Sequence, residues 1–184
     1  MQQKPEILET RLVARSRLFG IEEVDLRFSN GAERTYERLR TPPIPAVMCV
    51  PLLDEDTVVL IREYGVGLEE YQLTLPKGAL DAGEDWRDAA NRELQEEAGY
   101  GCKTLTWLKR MTLSPGYMQH QITVALAEDL YESRLPGDEP EPLEVVTWSL
   151  QDLDTLVARE DVNEARVIAA LYMARDVIAK RKTA

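Results

Sequence analysis

The sequence predicts an α/β protein, a sandwich of helices and strands preceded by a small N-terminal β-hairpin unit. Three observations predict it. Short strand-like apolar runs are mixed with two or three helical patterns across residues 46–182, as in helices packed on a sheet rather than an all-α or all-β domain. Two alternating segments, 18–28 and 32–39, flank Ser29-Asn30-Gly31, a strong hairpin signal. Thr41-Pro42-Pro43-Ile44-Pro45 then breaks regular structure like a linker. The expected division is a β unit over residues 1–44 and a main domain over residues 45–184.

The main domain opens with Ala46-Val47-Met48-Cys49-Val50-Pro51-Leu52, a near-continuous apolar run of the kind that forms a buried strand. A turn at Asp54-Glu55-Asp56 leads to a second strand over 58–62, and a short third covers 71–75. Residues 85–98 carry a helix that Gly99 stops. Further strands are expected over 104–111, 121–127 and 145–148, with an acidic, proline-containing loop at 130–142. Ser149 and Asp152 resemble a capping box for a short helix. Residues 163–182 form an amphipathic helix with Val167, Leu171, Ala174 and Ile178 on one stripe, and Lys180, Arg181 and Lys182 near its own C-terminal carbonyls.

Composition excludes several functions. A length of 184 residues suits one domain with a small appendage. No apolar run approaches the ~20 residues that span a bilayer, and the first residues lack the apolar core of a signal peptide, so a cytoplasmic protein without membrane partners is expected. Cys49 and Cys102 lack a CxxC spacing and are expected buried and reduced. A net charge of −11 argues against binding a nucleic-acid polymer, which needs a basic surface. A small polyphosphate stays compatible if divalent cations reverse the local charge. The single histidine, His120, makes a Ser-His-Asp triad or a histidine-rich zinc site improbable. Carboxylates and hard metals are left to carry any catalysis.

The informative stretch is residues 78–100. Glu93, Glu96 and Glu97 stand at i, i+3 and i+4, within an arc of roughly 100° on an α-helix. Like charges at that spacing repel, and anions are disfavoured near a helix C-terminus. Folding does not reward the placement, whereas Mg²⁺ takes carboxylate oxygens and shares itself with substrate phosphates. The plain alternative is a solvated helix face. Ala89 and Ala90, one turn earlier, are small enough to admit a loop or substrate. Gly78 and Gly83 bracket the loop before the helix and permit close backbone approach. Arg92 and Glu84 can pair across loop and helix.

The spacing of Gly78, Glu84, Arg92, Glu93, Leu94, Glu96, Glu97 and Gly99 resembles the box of the Nudix hydrolases, G-x5-E-x7-R-E-U-x-E-E-x-G-U, with U a bulky apolar residue. Tyr100 fills the last position with an aromatic. The resemblance implies a Nudix-type α/β/α sandwich with a mixed sheet, and metal-dependent hydrolysis of a nucleoside diphosphate linked to another group. It implies Glu93 and Glu97 as principal ligands of Mg²⁺ or Mn²⁺, Glu96 as a further ligand, and the Lys77 carbonyl as a completing one. Arg92 and Glu84 become positioning residues.

Residues outside the box resemble the branch of bacterial ADP-compounds hydrolases and ADP-ribose pyrophosphatases. They are Pro115 within Leu113-Ser114-Pro115-Gly116-Tyr117, Leu60-Ile61-Arg62-Glu63-Tyr64, Gly137-Asp138-Glu139-Pro140-Glu141-Pro142, Asn163-Glu164-Ala165-Arg166, and Val13-Ala14-Arg15-Ser16-Arg17-Leu18-Phe19. The implied reaction cleaves ADP-ribose, NADH or diadenosine polyphosphates, giving AMP plus X-phosphate or related products. Gly65 and Thr74 depart from the stricter ADP-ribose pattern and favour broader ADP-X specificity. By the same resemblance the general base comes from the late acidic loop, as Glu139 or Glu141; the plainer reading makes that loop only solubilising. Adenine can stack on Phe19, Phe28 or Tyr117, with core packing as the competing role. Arg62 can reach phosphate or serve a surface ion pair. The N-terminal unit implies a homodimer. Open alternatives are a Nudix hydrolase of another nucleotide class, a GDP-sugar or a triphosphate; a nucleotide-sensing module without hydrolysis; and an acidic structural protein.

Overall fold

The computed structural model describes residues 3–40 and 44–183. Positions 41–43 of the expected linker lie outside the described residues. The chain divides into two compact units, Met1–Ile44 with Thr112–Gln121, and Pro45–Met111 with Ile122–Ala184.

The first unit is an antiparallel sheet of order β1-β2-β3, from β1 (Glu6–Arg15), β2 (Gly20–Arg27) and β3 (Glu33–Arg40). The Ser29-Asn30-Gly31 turn joins β2 to β3 as expected: Gly31 takes a φ of 81°, and the Asn30 side-chain oxygen accepts from the Ala32 N–H at 3.0 Å. β1 was not expected. It is exposed at nearly every residue, so no burial alternation marks it, and its register breaks twice. Charge anchors it, with Arg11 reaching Glu23 at 3.0 Å and Asp25 at 2.5 Å on β2. Residues 112–121 join this unit through the Leu39 N–H, which donates to the Tyr117 carbonyl at 2.8 Å.

The second unit holds two sheets. One is mixed, of order β7-β4-β9-β8: β4 (Ala46–Pro51) runs parallel to β9 (Gln121–Glu132) and antiparallel to β7 (Lys77–Ala79), and β8 is Tyr100–Thr112. The other is antiparallel, β10 (Glu144–Ser149), β5 (Thr57–Gly65) and β6 (Glu70–Thr74). The period-2 pleat splits each central strand between two cores. Met48, Val50, Val58 and Leu60 pack with α2 (Leu153–Val157) and α3 (Ala165–Lys182). Val47, Cys49, Val59 and Ile61 pack with α1 (Trp86–Glu93). Strands buried on both faces explain the apolar runs read from the sequence.

Several boundaries move. β9 continues to Glu132, so the first residues of the expected 130–142 loop are strand. The helix expected over 85–98 is α-helical only to Glu93 and continues as a π-turn, Leu94–Ala98. Ser149 caps a 3₁₀ turn, accepting from the Gln151 N–H at 3.2 Å, and α2 follows. At the end of α3 the cluster 180–182 reaches beyond its own helix: Arg181 pairs with Glu128 at 2.7 Å and Lys182 with Asp56 at 3.0 Å. Both cysteines are buried and free. Among the described residues no helix is long and apolar enough to cross a membrane.

Leu171 is completely buried in the stripe that docks α3. Leu171→Ala is expected to cost about 2–5 kcal/mol, read as a lowered urea midpoint; a loss below ~1 kcal/mol would mean α3 is not a wall of this core.

Candidate active site

The site is built on the end of α1. Asp85 starts that helix, its carboxylate accepting from the Arg87 N–H at 2.9 Å. Ala89 and Ala90 are fully buried against the sheet, and the Cys49 thiol donates to the Ala90 carbonyl at 3.3 Å. Their small size therefore serves close helix-to-sheet packing, not access for a loop or substrate. After Glu93 the turn widens: the Gly99 N–H reaches back five residues to the Leu94 carbonyl, and Gly99 takes the left-handed conformation at φ 78°. Glu93 thus ends the α-helical part, while Glu96 and Glu97 sit on a π-turn.

Arg92 organises the carboxylates. Its Nε and Nη2 donate to the two oxygens of Glu84, each at 3.0 Å, a bidentate fork. Nη2 also donates to the Ala79 carbonyl at 3.0 Å, tying the helix to the preceding loop. Nη1 bridges Glu93 at 2.7 Å and Glu96 at 3.0 Å. The second Glu84 oxygen accepts from the Asp81 N–H at 2.8 Å. This fork holds the Glu84 carboxyl below the usual carboxylate range.

Glu93 and Glu97 are buried, at 8% and 7% exposure. Glu97 accepts from the Lys77 N–H at 2.9 Å. Loss of water, reinforced by the negative charges of Glu93 and Glu63, pushes its carboxyl up to about 8 despite that bond. Burial likewise raises Glu93, opposed by Arg92. The Glu93 carboxylate lies so close to Gly78 that a Cβ there would stand 2.1 Å from it. Gly78 is therefore needed for space, the close approach the loop glycines allow.

Two residues outside the box enter the site. β5 alternates so that Glu63 shares the face of Val59 and Ile61, the face that packs α1. Glu63 pairs there with the Lys77 ammonium. Strand periodicity applied to β5 points to Glu63; the box does not. Tyr71, on β6, donates its hydroxyl to Glu141 and packs edge-on against Tyr64 at 5.3 Å. Residues 134–143 cross over the glutamates and enclose with them a cleft of about 460 Å³. Glu139 in that segment is raised by desolvation and by the charges of Glu63 and Asp138, and lowered by Lys77. Of the two expected base candidates, Glu139 thus faces the acidic cluster and Glu141 is engaged by Tyr71.

The remaining expected residues have other observed partners or belong to the first unit. Arg62 follows Leu60 on the opposite face of β5, where it binds Glu144 and Asp161, each at 2.9 Å. It serves an ion-pair network, and with different partners from its neighbour Glu63. Phe28 packs edge-on with Tyr36 at 6.4 Å, and Pro115 and Tyr117 are exposed on the 112–121 segment; all three belong to the first unit. Phe19 is also exposed there. Thr74 is buried, and its hydroxyl has no hydrogen-bond partner among the described residues.

Among the described residues no three His, Cys, Asp or Glu side chains converge tightly enough to hold a metal by themselves. Arg92 stands between Glu93 and Glu96, and its single positive charge is shared among these two and Glu84. The donor set still fits a hard divalent cation. Mg²⁺ is typically held by one or two carboxylates with water and substrate phosphate rather than by an all-protein cage. Two buried carboxylates, one raised far from its ordinary range, form a site with unbalanced negative charge.

Residues 5–38 match the NudE-type Nudix hydrolase N-terminal domain and residues 42–171 the NUDIX domain. The chain is 50% identical to ADP compounds hydrolase NudE of Escherichia coli, over 95% of this chain and 93% of that protein. It is 32% identical to the ADP-ribose pyrophosphatase of Bacillus subtilis, over 89% of this chain and 91% of that one. A crystal structure of an ADP compounds hydrolase superimposes with a TM-score of 0.92 at 48% identity, covering 98% of this chain and 97% of that chain.

The Glu97 carboxyl generates a stability prediction. A carboxyl raised from 4.5 to about 8 on folding contributes stability at low pH that is lost as pH rises through that window. In metal-free buffer, Glu97→Gln removes this loss while keeping an acceptor for the Lys77 N–H. The variant is expected to be more stable than wild type at pH 8 by at least about 2 kcal/mol, half of the roughly 4 kcal/mol that the whole shift is worth before the site relaxes and admits water, or at least roughly 4–8 °C in Tm, with the gap closing near pH 5. Parallel melting curves across that range check it; a gap that stays constant with pH contradicts the burial argument.

Proposed function

The chain belongs to the Nudix hydrolase family, and from that membership we propose the following reaction and division of labour. The protein hydrolyses the diphosphate linkage of ADP-X compounds such as ADP-ribose, NADH and diadenosine polyphosphates, giving AMP plus X-phosphate or the related product. The observation that carries this reading is the pair of buried carboxylates, Glu93 and Glu97, in a cleft closed by an acidic segment, within a chain half identical to an ADP compounds hydrolase.

Glu93 and Glu97, with Glu96 and the Lys77 carbonyl, are the groups that would hold Mg²⁺ or Mn²⁺. The cation, when bound, neutralises the diphosphate and lowers the pKa of an attacking water. Arg92 and Glu84 orient the glutamates and hold the loop from Gly78 onto the helix. Glu139 is the proposed general base. It takes a proton from water as the water oxygen bonds to one phosphorus, and the bridging oxygen leaves with its electron pair as phosphate of the second product. The upward shift of Glu139 makes it a better proton acceptor than an unperturbed carboxylate, and partial desolvation with its acidic neighbours explains the shift. Arg62, tied to Glu144 and Asp161, steadies the segment's exit into β10.

The first unit is the proposed dimerising element. Ile7, Leu12, Val13, Leu18 and Phe19 are exposed large apolar side chains, and β1 and β3 are the edge strands of its sheet, β3 being bridged by the 112–121 segment at Leu39. Phe28, Tyr117 and Pro115 of that unit are the proposed adenine and substrate contacts. Free, buried thiols suit the reducing cytoplasm, the proposed compartment.

Incubation with Mg²⁺ and ADP-ribose, NADH, diadenosine triphosphate, GDP-mannose or dGTP is expected to release AMP from the first three. Glu97→Gln and Glu139→Gln are each expected to lower kcat by at least about a hundredfold. No turnover of any compound, or full activity in Glu97→Gln, contradicts the reading. Light scattering during size-exclusion chromatography is expected to give twice the chain mass, and a monomer at all concentrations removes the dimer.

A further inference from the structure

The segment over the cleft is held at both ends by backbone. At its start the Leu135 N–H donates to the Gln95 carbonyl, and at its end Glu144 enters β10 opposite Arg62. Between these anchors, Pro136, Pro140 and Pro142 each fix their own φ, which narrows the backbone freedom of the segment. A side-chain tie between the anchors restricts the segment further. The side chain that supplies it is Tyr71, whose hydroxyl donates to Glu141, two residues from Glu139. Tyr71 is itself oriented by the edge-on contact with Tyr64 at 5.3 Å, and β6 holds its backbone opposite Tyr64 on β5.

This arrangement has a chemical consequence that rests on the hydrolytic reading of the site above. Glu139 must stand within hydrogen-bond reach of one water to act as a base, and a misplacement of ~1 Å can cost about a hundredfold in rate. Glu139 is exposed and has neighbours of its own sign, Asp138 and Glu63, which repel it from the cluster. The Lys77 ammonium attracts it in return, and the tether at Glu141 adds a directional restraint against that repulsion. We propose that Tyr71 is a positioning residue for hydrolysis: through its hydrogen bond to Glu141 it sets the 136–142 segment so that Glu139 faces the metal-binding glutamates.

Tyr71→Phe removes only the hydroxyl and keeps the ring that packs on Tyr64. Wild type, Tyr71→Phe, Glu141→Ala and the double variant are compared on ADP-ribose with Mg²⁺, with Glu97→Gln and Glu139→Gln alongside. Each tether variant is expected to lower kcat about tenfold, leave KM within about twofold and keep an unchanged Tm. The double variant is expected to fall no further than the slower single one, because both changes break one bond. Amide hydrogen exchange over 137–141 is expected to quicken in Tyr71→Phe. Wild-type kcat in Tyr71→Phe beside an inactive Glu97→Gln overturns the tether and leaves the site reading standing. Losses that multiply in the double variant overturn it as well. An inactive wild type, or an active Glu97→Gln, is instead a failure of the site reading; the exchange measurement then decides the tether, and an unchanged rate overturns it.

Discussion

Glu93 and Glu97 are buried within one turn of each other, and the Arg92 guanidinium pairs with only one of them. Removing carboxylates from water is expensive unless each finds charge or hydrogen bonds. Much of the local structure is the answer to that expense. Arg92 is pinned by the Glu84 fork and the Ala79 carbonyl so that its third nitrogen meets Glu93 and Glu96. Gly78 has no Cβ because the Glu93 carboxylate occupies that space. The Lys77 N–H, at the start of the edge strand β7, donates to Glu97. The residual imbalance appears as a Glu97 carboxyl raised to about 8. A divalent cation at a site with that imbalance would supply the missing positive charge.

The helix end is shaped by the same demand. A regular α-helix would carry the three glutamates on one evenly spaced face near its negative end. The π-turn from Leu94 to Ala98 widens that face and ends at Gly99, whose left-handed conformation lets the chain turn at once into β8. The alanines one turn earlier pack on the sheet, so the helix sits close enough for Glu97 to reach β7. Stability and chemistry therefore meet in a few residues: what fixes the helix on the sheet also brings carboxylates into a place that folding alone would avoid.

The acidic cluster is larger than the box. Glu63, Asp138 and Glu139 add to it, with Lys77 the cation set among them. A net charge of −11 is concentrated in part where a polyphosphate would bind, which is workable only with bound cations. The segment carrying Glu139 is stiffened by proline and secured by backbone at its ends, while Arg62 and Tyr71 hold it from the two neighbouring strands through Glu144 and Glu141.

Local sequence determined most strands of the central sheets, though not the short β7 or the first residues of β8, together with the hairpin turn, the docking stripe of α3 and the box with its Arg92–Glu84 pair, because each depends on spacing within a few residues. Residues 78–97 were legible for that reason: a helix brings i, i+3 and i+4 together whatever surrounds it. What tertiary structure decided lies between distant segments. β1 escaped because none of its faces is buried, and a pattern of burial is what marks a strand. The role of Arg62 turned on which face of β5 it occupies and on Asp161, 99 residues away. The separation of Glu139 from Glu141 turned on Tyr71, 70 residues from Glu141. The shifts of Glu93 and Glu97 required knowing how much water each retains. Sequence spacing carries the identity and order of the groups; burial, facing and long-range partners exist only once the chain has closed on itself, and they decide which charged groups are balanced and which are left for substrate and metal.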